Sequence, residues 1–132
     1  MDHKVLVIQT SVPGKHSIRF ILSKEGMTVD FADTCSEAEE RLRVHSYSLV
    51  IIDEAVDGFS SDRLLDFISS KERKNRLPVL LLTGEENADN LFYTDGKIEC
   101  RRIAKPFSSA ALQSAVRRAT GLGSVNPKSG PV

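Results

Sequence analysis

Three polar side chains end or follow apolar runs of this chain and could act together on a charged ligand. Asp53 ends the run SLVIID, Thr83 follows PVLLL, and Lys105 comes shortly after the weaker run IECRRI. After the first run, KVLVI, the chain continues with Gln9 and Thr10, which are both neutral. If these runs are parallel strands of one sheet, their carboxyl ends meet at the edge where open α/β sheets bind ligands. A carboxylate, a hydroxyl and an ammonium group are therefore predicted to meet there.

A Gly-Lys pair in the loop before the first predicted helix is another candidate for a phosphate site. Backbone N–H groups ahead of a helix N-terminus bind anions. A nucleotide-binding P-loop, however, has a second Gly six positions before its Lys and a Ser or Thr directly after it. This chain has no Gly at that position or at the next one, where Gln9 and Thr10 stand, and it has His16 after Lys15. The spacing therefore speaks against a P-loop.

The apolar runs predict five strands, at residues 4–8, 28–32, 48–53, 78–82 and 98–103. The first, third and fourth runs are continuously apolar, as expected of strands that are buried on both faces of a parallel sheet. The second run alternates with polar residues and the fifth is interrupted by charge. We therefore predict that the second and fifth strands lie at the edges of the sheet.

Helical patterns lie between these runs. Apolar spacing predicts a first helix around Ile18, a second that begins at the capping box Thr34–Glu37, and a third after Ser61. The last helix is the clearest, because Ser108 is a good first cap and Gly121 a good last one. The fourth, in EENADNLFYTDG, is mostly polar and is predicted to be short or mobile.

This alternation of strands and helices predicts an α/β fold. The arrangement that fits is a doubly wound, five-stranded parallel sheet in the order 2-1-3-4-5, which is the flavodoxin-like order. Residues 1–121 would form this single domain. Residues 122–132 are rich in Gly, Ser and Pro and are predicted to be a disordered tail or the start of a linker.

Composition narrows the class of protein. The 132 residues suit one domain, and 40% apolar with 27% charged residues is normal for a globular protein. Eighteen basic side chains balance eighteen acidic ones, so no overall field draws the chain onto nucleic acid or anionic lipid. No signal-peptide pattern or membrane-length apolar run occurs. We expect a cytoplasmic protein with neither membrane nor direct nucleic-acid partners.

Cysteine and histidine give no metal pattern. Cys35 and Cys100 are far apart and belong to no Cys-x-x-Cys pair, while His3, His16 and His45 share no helical or strand spacing. Reduced thiols and surface histidines are the simpler interpretation.

Taken together and in order, the motifs resemble the receiver domain of response regulators, the CheY-like family, over residues 4–120. LVIID matches the strand that carries the phospho-accepting aspartate, LLTG the strand that ends in the switch hydroxyl, and AKPF the Lys-Pro motif. The resemblance implies that Asp53 is the position that takes a phosphoryl group from a histidine kinase. It further implies that Thr83 bonds this group, that Lys105 pairs with it, and that the Lys105-Pro106 peptide is cis.

One departure from the family is decisive for chemistry. Receivers hold Mg²⁺ with two adjacent carboxylates after the first strand, where this chain has Gln9 and Thr10. Mg²⁺ demands hard oxygen ligands and relies on carboxylate charge. Three acids and one Lys would give a formal pocket charge of about −2, and each charge pair is worth roughly 4 kcal/mol, whereas Asp53 with Lys105 sums to zero. We therefore expect little or no Mg²⁺ binding, inefficient phosphorylation, and a direct Asp53–Lys105 pair.

Further departures surround the same loop. Receivers usually follow the aspartate with Met-Pro and later a Gly, but this chain has Val56, Asp57 and Ser61. Arg102 stands where the family has an aromatic residue that reports the phosphorylated state, so coupling of the switch hydroxyl to such a ring is not expected. Glu54 and Asp57 are candidate substitute ligands, although exposed loop acids are the simpler interpretation.

Three functions compete on these grounds. The first is a pseudo-receiver, a protein-interaction module of a bacterial two-component or phosphorelay system that needs neither phosphorylation nor a cofactor and is not an enzyme. Its partner, a histidine kinase or an output protein, would contact the face of the fourth helix, fifth strand and fifth helix. That face would be basic because of four arginines, Arg101, Arg102, Arg117 and Arg118.

The second function is a conventional receiver that is phosphorylated at Asp53 with Mg²⁺ as cofactor. The third is an enzyme or flavin carrier on the same kind of sheet. The chain has no Trp, only two Tyr, and no His that the strand positions would bring near Asp53, so the third function is disfavoured.

Overall fold

The computed structural model of the chain describes residues 3–56, 77–84, 91–94 and 98–121. Three helices are described, α1 (Val12–Lys24), α2 (Cys35–Val44) and α3 (Ser109–Thr120). The strands are β1 (His3–Ile8), β2 (Met27–Ala32), β3 (Leu49–Asp53), β4 (Val79–Thr83), β5 (Leu91–Thr94) and β6 (Ile98–Ala104).

The predicted fold is confirmed. Five strands run parallel in the spatial order β2-β1-β3-β4-β6, which is the order 2-1-3-4-5 with β6 as the fifth predicted strand. The short strand β5 pairs antiparallel with β6 at the end of the sheet. The prediction that 98–103 is an edge strand is therefore wrong, because β6 lies between β4 and β5.

The predicted fourth helix is wrong for Leu91–Thr94, which form β5. Leu-Phe-Tyr-Thr contains aromatic and β-branched residues that favour strands. In the sequence, Asp95-Gly96 follows directly, and this pair is a strong signal for a hairpin. Tertiary pairing with β6 and this local preference act in the same direction, so a strand forms where a polar helix was expected.

Each face of the sheet is covered by its own apolar cluster. Leu6 and Ile8 of β1 belong to the cluster beneath α2, whereas Val5 and Val7 belong to the cluster beneath α1 and α3. Successive side chains of a strand point to opposite faces, so one continuously apolar run serves both clusters. This is the doubly wound packing that the continuous runs predicted.

The predicted N-caps Thr34 and Ser108 begin α2 and α3, and Ser11, for which no prediction was made, begins α1. In these caps of α1, α2 and α3, the side-chain oxygen accepts a backbone N–H three residues ahead, at 3.2, 3.1 and 3.0 Å, respectively. Such caps each contribute about 1 kcal/mol to helix stability. Helix α3 ends at Gly121, whose φ of 80° is left-handed and suits glycine.

A buried carboxylate ties α1 to α3. Glu25 follows the last turn of α1 and accepts hydrogen bonds from Arg117 Nε at 2.7 Å and from Arg117 Nη2 at 3.0 Å. Gln113 Nε2 adds a third bond to Glu25 Oε2 at 3.0 Å. We call these three residues the helix clamp, because they join the end of one helix to the side of another.

Several predictions lie outside the described residues. These are the third helix, Asp57, Ser61, and the tail at 122–132. Within the described ranges, no helix combines the length and apolar character that a membrane crossing requires.

Candidate functional site

The carboxyl ends of the parallel strands meet at one edge of the sheet, as predicted. The backbone N–H of Glu54 donates to the carbonyl of Leu82 at 3.1 Å, and that of Lys105 donates to the carbonyl of Thr83 at 2.7 Å. On the other side, Gln9 N–H donates to the carbonyl of Ala32 at 3.0 Å. These bonds hold the loops after β1, β3 and β6 in register, so that their side chains converge.

Asp53 is buried at the centre of this edge, and three donors surround its carboxylate. Lys105 Nζ and the backbone N–H of Ala55 donate to Oδ1 at 2.8 and 2.9 Å. Gln9 Nε2 donates to Oδ2 at 2.7 Å. The predicted ion pair between Asp53 and Lys105 is therefore present, and the carboxylate gains a neutral donor as well.

The protonation of Asp53 follows from this environment. Burial alone raises the pKa of a carboxyl group, because it penalises the charged form. The bonds from Lys105, Ala55 and Gln9 favour the charged form more strongly and hold the pKa of Asp53 below its ordinary value. Asp53 is thus a stable carboxylate that is already neutralised and hydrogen-bonded by the protein itself.

Gln9 fills the space beside Asp53 with an oriented amide. Its Oε1 accepts the backbone N–H of Ser11 at 2.9 Å, while its Nε2 points to Asp53. The reverse orientation would set the amide oxygen against the carboxylate, so the network selects this one. Room for the side chain comes from Gly14, where a Cβ atom would lie 3.0 Å from Gln9 Cδ and Nε2.

This arrangement does not fit the Mg²⁺ ion that receivers hold. The position that would carry a ligand oxygen carries an N–H donor, and the oxygen of the same amide is bonded to Ser11. Thr10, at the other position of the metal pair, is exposed. Across the part of the chain that the structure describes, no three His, Cys, Asp or Glu side chains are grouped to hold a metal. Beside Asp53, the two metal-pair positions therefore supply none of the additional anionic oxygens on which a Mg²⁺ site relies.

Thr83 lies at the end of β4 and is buried. Its hydroxyl donates to the carboxylate of Glu54. Glu54 is partly buried, so its interpretation as an exposed loop acid is wrong. The hydroxyl that receivers use as a switch is therefore held by a carboxylate of this chain.

Lys105 and Arg102 occupy the positions that the sequence predicted. Lys105 precedes a cis peptide bond to Pro106, as the resemblance implied. Its side chain is 31% exposed, and its ammonium group reaches Asp53. Arg102 lies in β6 opposite Leu81 and is partly buried.

The four arginines do not share one face, which corrects the predicted basic surface. Arg101 and Arg102 are neighbours in β6, so their side chains point to opposite faces of the sheet. Arg101 lines a shallow groove with Arg118 of α3, whereas Arg117 is bonded to Glu25 in the helix clamp. The prediction counted charges along the chain and did not apply the two-residue period of the strand.

Two contributions to the site carried no sequence signal. A Gln after a strand does not predict which end of its amide faces a carboxylate. The position of Glu54 next to Asp53 does not predict its hydrogen bond with Thr83, which is 29 residues further along the chain. Both contacts depend on strand adjacency, and the sequence pattern indicates strand order but not side-chain direction.

The family comparison agrees with the fold. The family model for the response regulator receiver domain matches residues 5–117. The transcriptional regulatory protein PmrA of Pectobacterium parmentieri is 32% identical over 116 residues, which is 86% of this chain and 50% of that protein. The chain therefore spans about half the length of such curated relatives.

Solved structures show the same fold. The receiver domain of a sensor histidine kinase from Pseudomonas aeruginosa, with a magnesium ion coordinated in its active-site cleft, has a TM-score of 0.74 and 19% identity. The match covers 92% of this chain and 99% of the Pseudomonas chain. The chemotaxis response regulator CheY4 of Vibrio cholerae has a TM-score of 0.74 and 18% identity, covering 90% of this chain and 99% of that one.

Proposed function

This chain belongs to the family of response regulator receiver domains, and we propose that it is a pseudo-receiver that works without phosphorylation. In this proposal it acts as a protein-interaction module of a two-component or phosphorelay system, in the bacterial cytoplasm. It catalyses no reaction and needs no cofactor. The partner is a histidine kinase or an output protein, and neither a membrane nor nucleic acid is bound directly.

The observation that carries the proposal is the bond from Gln9 Nε2 to Asp53 Oδ2 at 2.7 Å. Together with Lys105 and the N–H of Ala55, this bond neutralises and satisfies the Asp53 carboxylate. In a receiver that binds a metal, the ion would supply part of this neutralisation. To accept phosphate, Asp53 would have to lose at least one of these bonds. Hydrogen bonds to a charged group are each worth about 1.5–3 kcal/mol, so this loss opposes the reaction.

Phosphoryl transfer itself also lacks support at this edge. Catalysis of that transfer is mainly positioning and neutralisation of charge on the transferred oxygens. Lys105 is the cation at hand, and it already bonds Asp53. Thr83, which would meet the phosphoryl group, donates instead to Glu54. Repulsion between Glu54 and an incoming phosphate adds a further cost.

The direct test is incubation with acetyl phosphate and Mg²⁺, followed by intact mass spectrometry. We expect no added phosphate on the wild-type chain under conditions in which a conventional receiver is modified. Asp53→Asn is the matched control for site specificity. Stoichiometric phosphate on the wild type that is lost in Asp53→Asn would overturn the proposal.

The second candidate is a conventional receiver that a histidine kinase phosphorylates at Asp53. The meeting of Asp53, Thr83 and Lys105 at one edge favours it. It predicts that beryllofluoride with Mg²⁺ shifts the amide resonances of Thr83 and Arg102. The pseudo-receiver proposal predicts that these resonances stay in place.

The proposed partner surface includes the groove between β6 and α3. Arg101 and Arg118 line it beside Ile103 and Ala115. Arginine with a small apolar floor is a composition that protein interfaces favour. Charge reversal of Arg118 should weaken capture of a cognate partner without changing the fold, because the side chain is exposed.

A further inference from the structure

Helix α1 presents a row of exposed side chains to solvent. Val12, His16, Phe20 and Lys24 stand at every fourth position of the helix, and all four are exposed. Side chains with this spacing lie next to one another along one side of a helix, so the row is about 18 Å long. We call these four residues the α1 ridge. The buried residues of α1 lie on the opposite side and belong to the core.

Two members of the α1 ridge are large apolar side chains that remain in water. Val12 is 60% exposed and Phe20 is 59% exposed. Single exposed apolar residues are normal on a protein surface, but here two lie in one row. The Phe20 ring has a cation beside it as well, because Lys24 Nζ lies 4.7 Å from the ring centroid. Aromatic rings and arginines are enriched where proteins bind each other.

The charge on α1 has one sign. The helix contains Lys15, Arg19 and Lys24 but no Asp or Glu. Lys15 is paired with Asp33 at 2.6 Å. Among the residues that the structure describes, Arg19 and Lys24 have no acidic partner, and each lies over an aromatic ring instead. Helix α2, by contrast, carries both signs of charge and forms two ion pairs within itself.

This charge favours one kind of occupant. Symmetric pairing of two copies through the ridge would set cations against cations, which opposes association. A helix that binds a membrane surface buries its apolar face in the lipid, whereas the apolar face of α1 is already used in the core. A partner helix needs only the ridge, since rows at every fourth position pack into the grooves of another helix. Acidic residues beside the apolar stripe of that partner would complement Arg19 and Lys24.

We propose that the α1 ridge binds an acidic amphipathic helix of a partner protein. The apolar stripe of that helix packs on Val12 and Phe20, and its carboxylates pair with Arg19 and Lys24. The inference rests on the proposed role of the chain as a protein-interaction module. It adds a second surface, separate from the groove between β6 and α3.

The test uses two synthetic peptides that differ only in charge. Both have about 18 residues with Leu at every third or fourth position, and a side-chain staple keeps them helical. The remaining positions are Glu in one peptide and Lys in the other. We expect the Glu peptide to shift the amide resonances of His16, Phe20 and Lys24 saturably, and those of α2 to stay in place. The Lys peptide should bind at least about tenfold more weakly, because its charge matches that of α1.

Two variants and their controls locate the site. Phe20→Ser should weaken the Glu peptide by about fivefold or more, as loss of an aromatic contact at the centre of an interface does. Val44→Ser, at a residue of α2 that is 72% exposed, should leave binding unchanged. Arg19→Gln with Lys24→Gln should weaken the Glu peptide by about tenfold at low salt, whereas Arg43→Gln on α2 should have little effect. All five side chains are exposed, so the variants are expected to fold, and circular dichroism checks this.

Four results would overturn the inference. They are no saturable binding of the Glu peptide, equal affinity for both peptides, equal loss in Phe20→Ser and Val44→Ser, or shifts that map away from α1. Vesicles of phosphatidylglycerol and phosphatidylcholine should not bind the chain. Binding to them that Phe20→Ser abolishes would identify the ridge as a membrane surface and would also overturn the inference.

The result is distinguishable from that of the phosphorylation test. Asp53→Asn should bind the Glu peptide as the wild type does, because Asp53 is buried and does not belong to the ridge. Phosphate on Asp53 would refute the pseudo-receiver proposal and leave the ridge proposal in place. Failure of the Glu peptide to bind would refute the ridge proposal alone.

Discussion

Two buried carboxylates of this protein are held by cations in nearly the same way. Asp53 lies 2.8 Å from Lys105 Nζ, and Glu25 lies 2.7 Å from Arg117 Nε. Both acidic side chains are 7% exposed, but Lys105 is 31% exposed and Arg117 53%. Each carboxylate also accepts a bond from a glutamine amide, Gln9 at the sheet edge and Gln113 in the helix clamp.

The difference lies in where the donors come from. The partners of Glu25 in the clamp, Gln113 and Arg117, are both on α3. The clamp therefore only joins one helix to another. Asp53 accepts hydrogen bonds from three loops, which follow β1, β3 and β6, at the edge where receivers are phosphorylated. A buried ion pair alone is thus a poor sign of function, and convergence of several strand ends is a better one.

The largest expected difference between the two pairs is in stability. Lys105→Met leaves Asp53 buried without its cation and should lower the free energy of unfolding by about 3 kcal/mol. Arg117→Met should cost clearly less, because Arg117 is the more exposed cation and Gln113 remains. Urea unfolding of both variants measures this. The double change Asp53→Asn with Lys105→Met should recover part of the loss, and equal losses for the two single variants would contradict the comparison.

A change of the metal-pair positions should convert the sheet edge into a cation site, which the clamp cannot become. Gln9→Asp with Thr10→Asp adds two carboxylates beside Asp53 and removes one of its donors, at a cost of about 2 kcal/mol. Millimolar Mg²⁺ should restore much of this loss in thermal unfolding, because the ion binds the folded state.

The wild type should show no such response to Mg²⁺. Ser23→Asp with Thr28→Asp is the matched control, since it adds the same charge at exposed positions. If Mg²⁺ raised the Tm of the wild type as much as that of the Gln9→Asp, Thr10→Asp variant, the view of Gln9 as a neutral replacement for the ion would be wrong.

Acid should weaken the Asp53 site in a defined direction. The pKa of Asp53 is held below the ordinary value of 3.8 for this carboxyl group, so its ionised form stabilises the fold above that pH and loses this effect as pH falls further. The stability difference between wild type and Asp53→Asn should therefore shrink below pH 3.8. Asp30→Asn is the control, because the pKa of Asp30 is also lowered. Burial raises this pKa, but the hydrogen bond from Tyr47 and the charge of Lys4 outweigh that effect. A difference that grows on acidification would contradict the assignment.

The smallest effect is the response to salt. The destabilisation by Arg117→Gln should diminish between low and high NaCl, since Arg117 is exposed and its attraction to Glu25 is screened. The destabilisation by Lys105→Met should change less, because Asp53 is buried. Unfolding curves at two ionic strengths measure both. Arg43→Gln, which breaks an exposed pair with Glu40, should follow the behaviour of Arg117→Gln.

Sequence reasoning predicted the strand order and the meeting of Asp53 with Lys105 because both follow from apolar periodicity and from the geometry of parallel sheets. It was wrong at Leu91–Thr94, where polar neighbours masked a strand preference and a hairpin signal. It also grouped Arg101 with Arg102, although adjacent strand residues face opposite ways. Contacts such as Thr83 with Glu54 depend on rotamers and on pairing between distant segments, which composition and spacing do not encode.

The Gly-Lys pair was predicted to lie in a loop, but it lies in the first turn of α1, and Gly14 has a role there other than phosphate binding. The amide of Gln9 occupies the volume that a methyl group on residue 14 would need. The sizes of the side chains at positions 9 and 14 therefore constrain each other. Among relatives of this chain, the identities at these positions are therefore expected to covary. A larger residue at position 14 should accompany a shorter side chain at position 9.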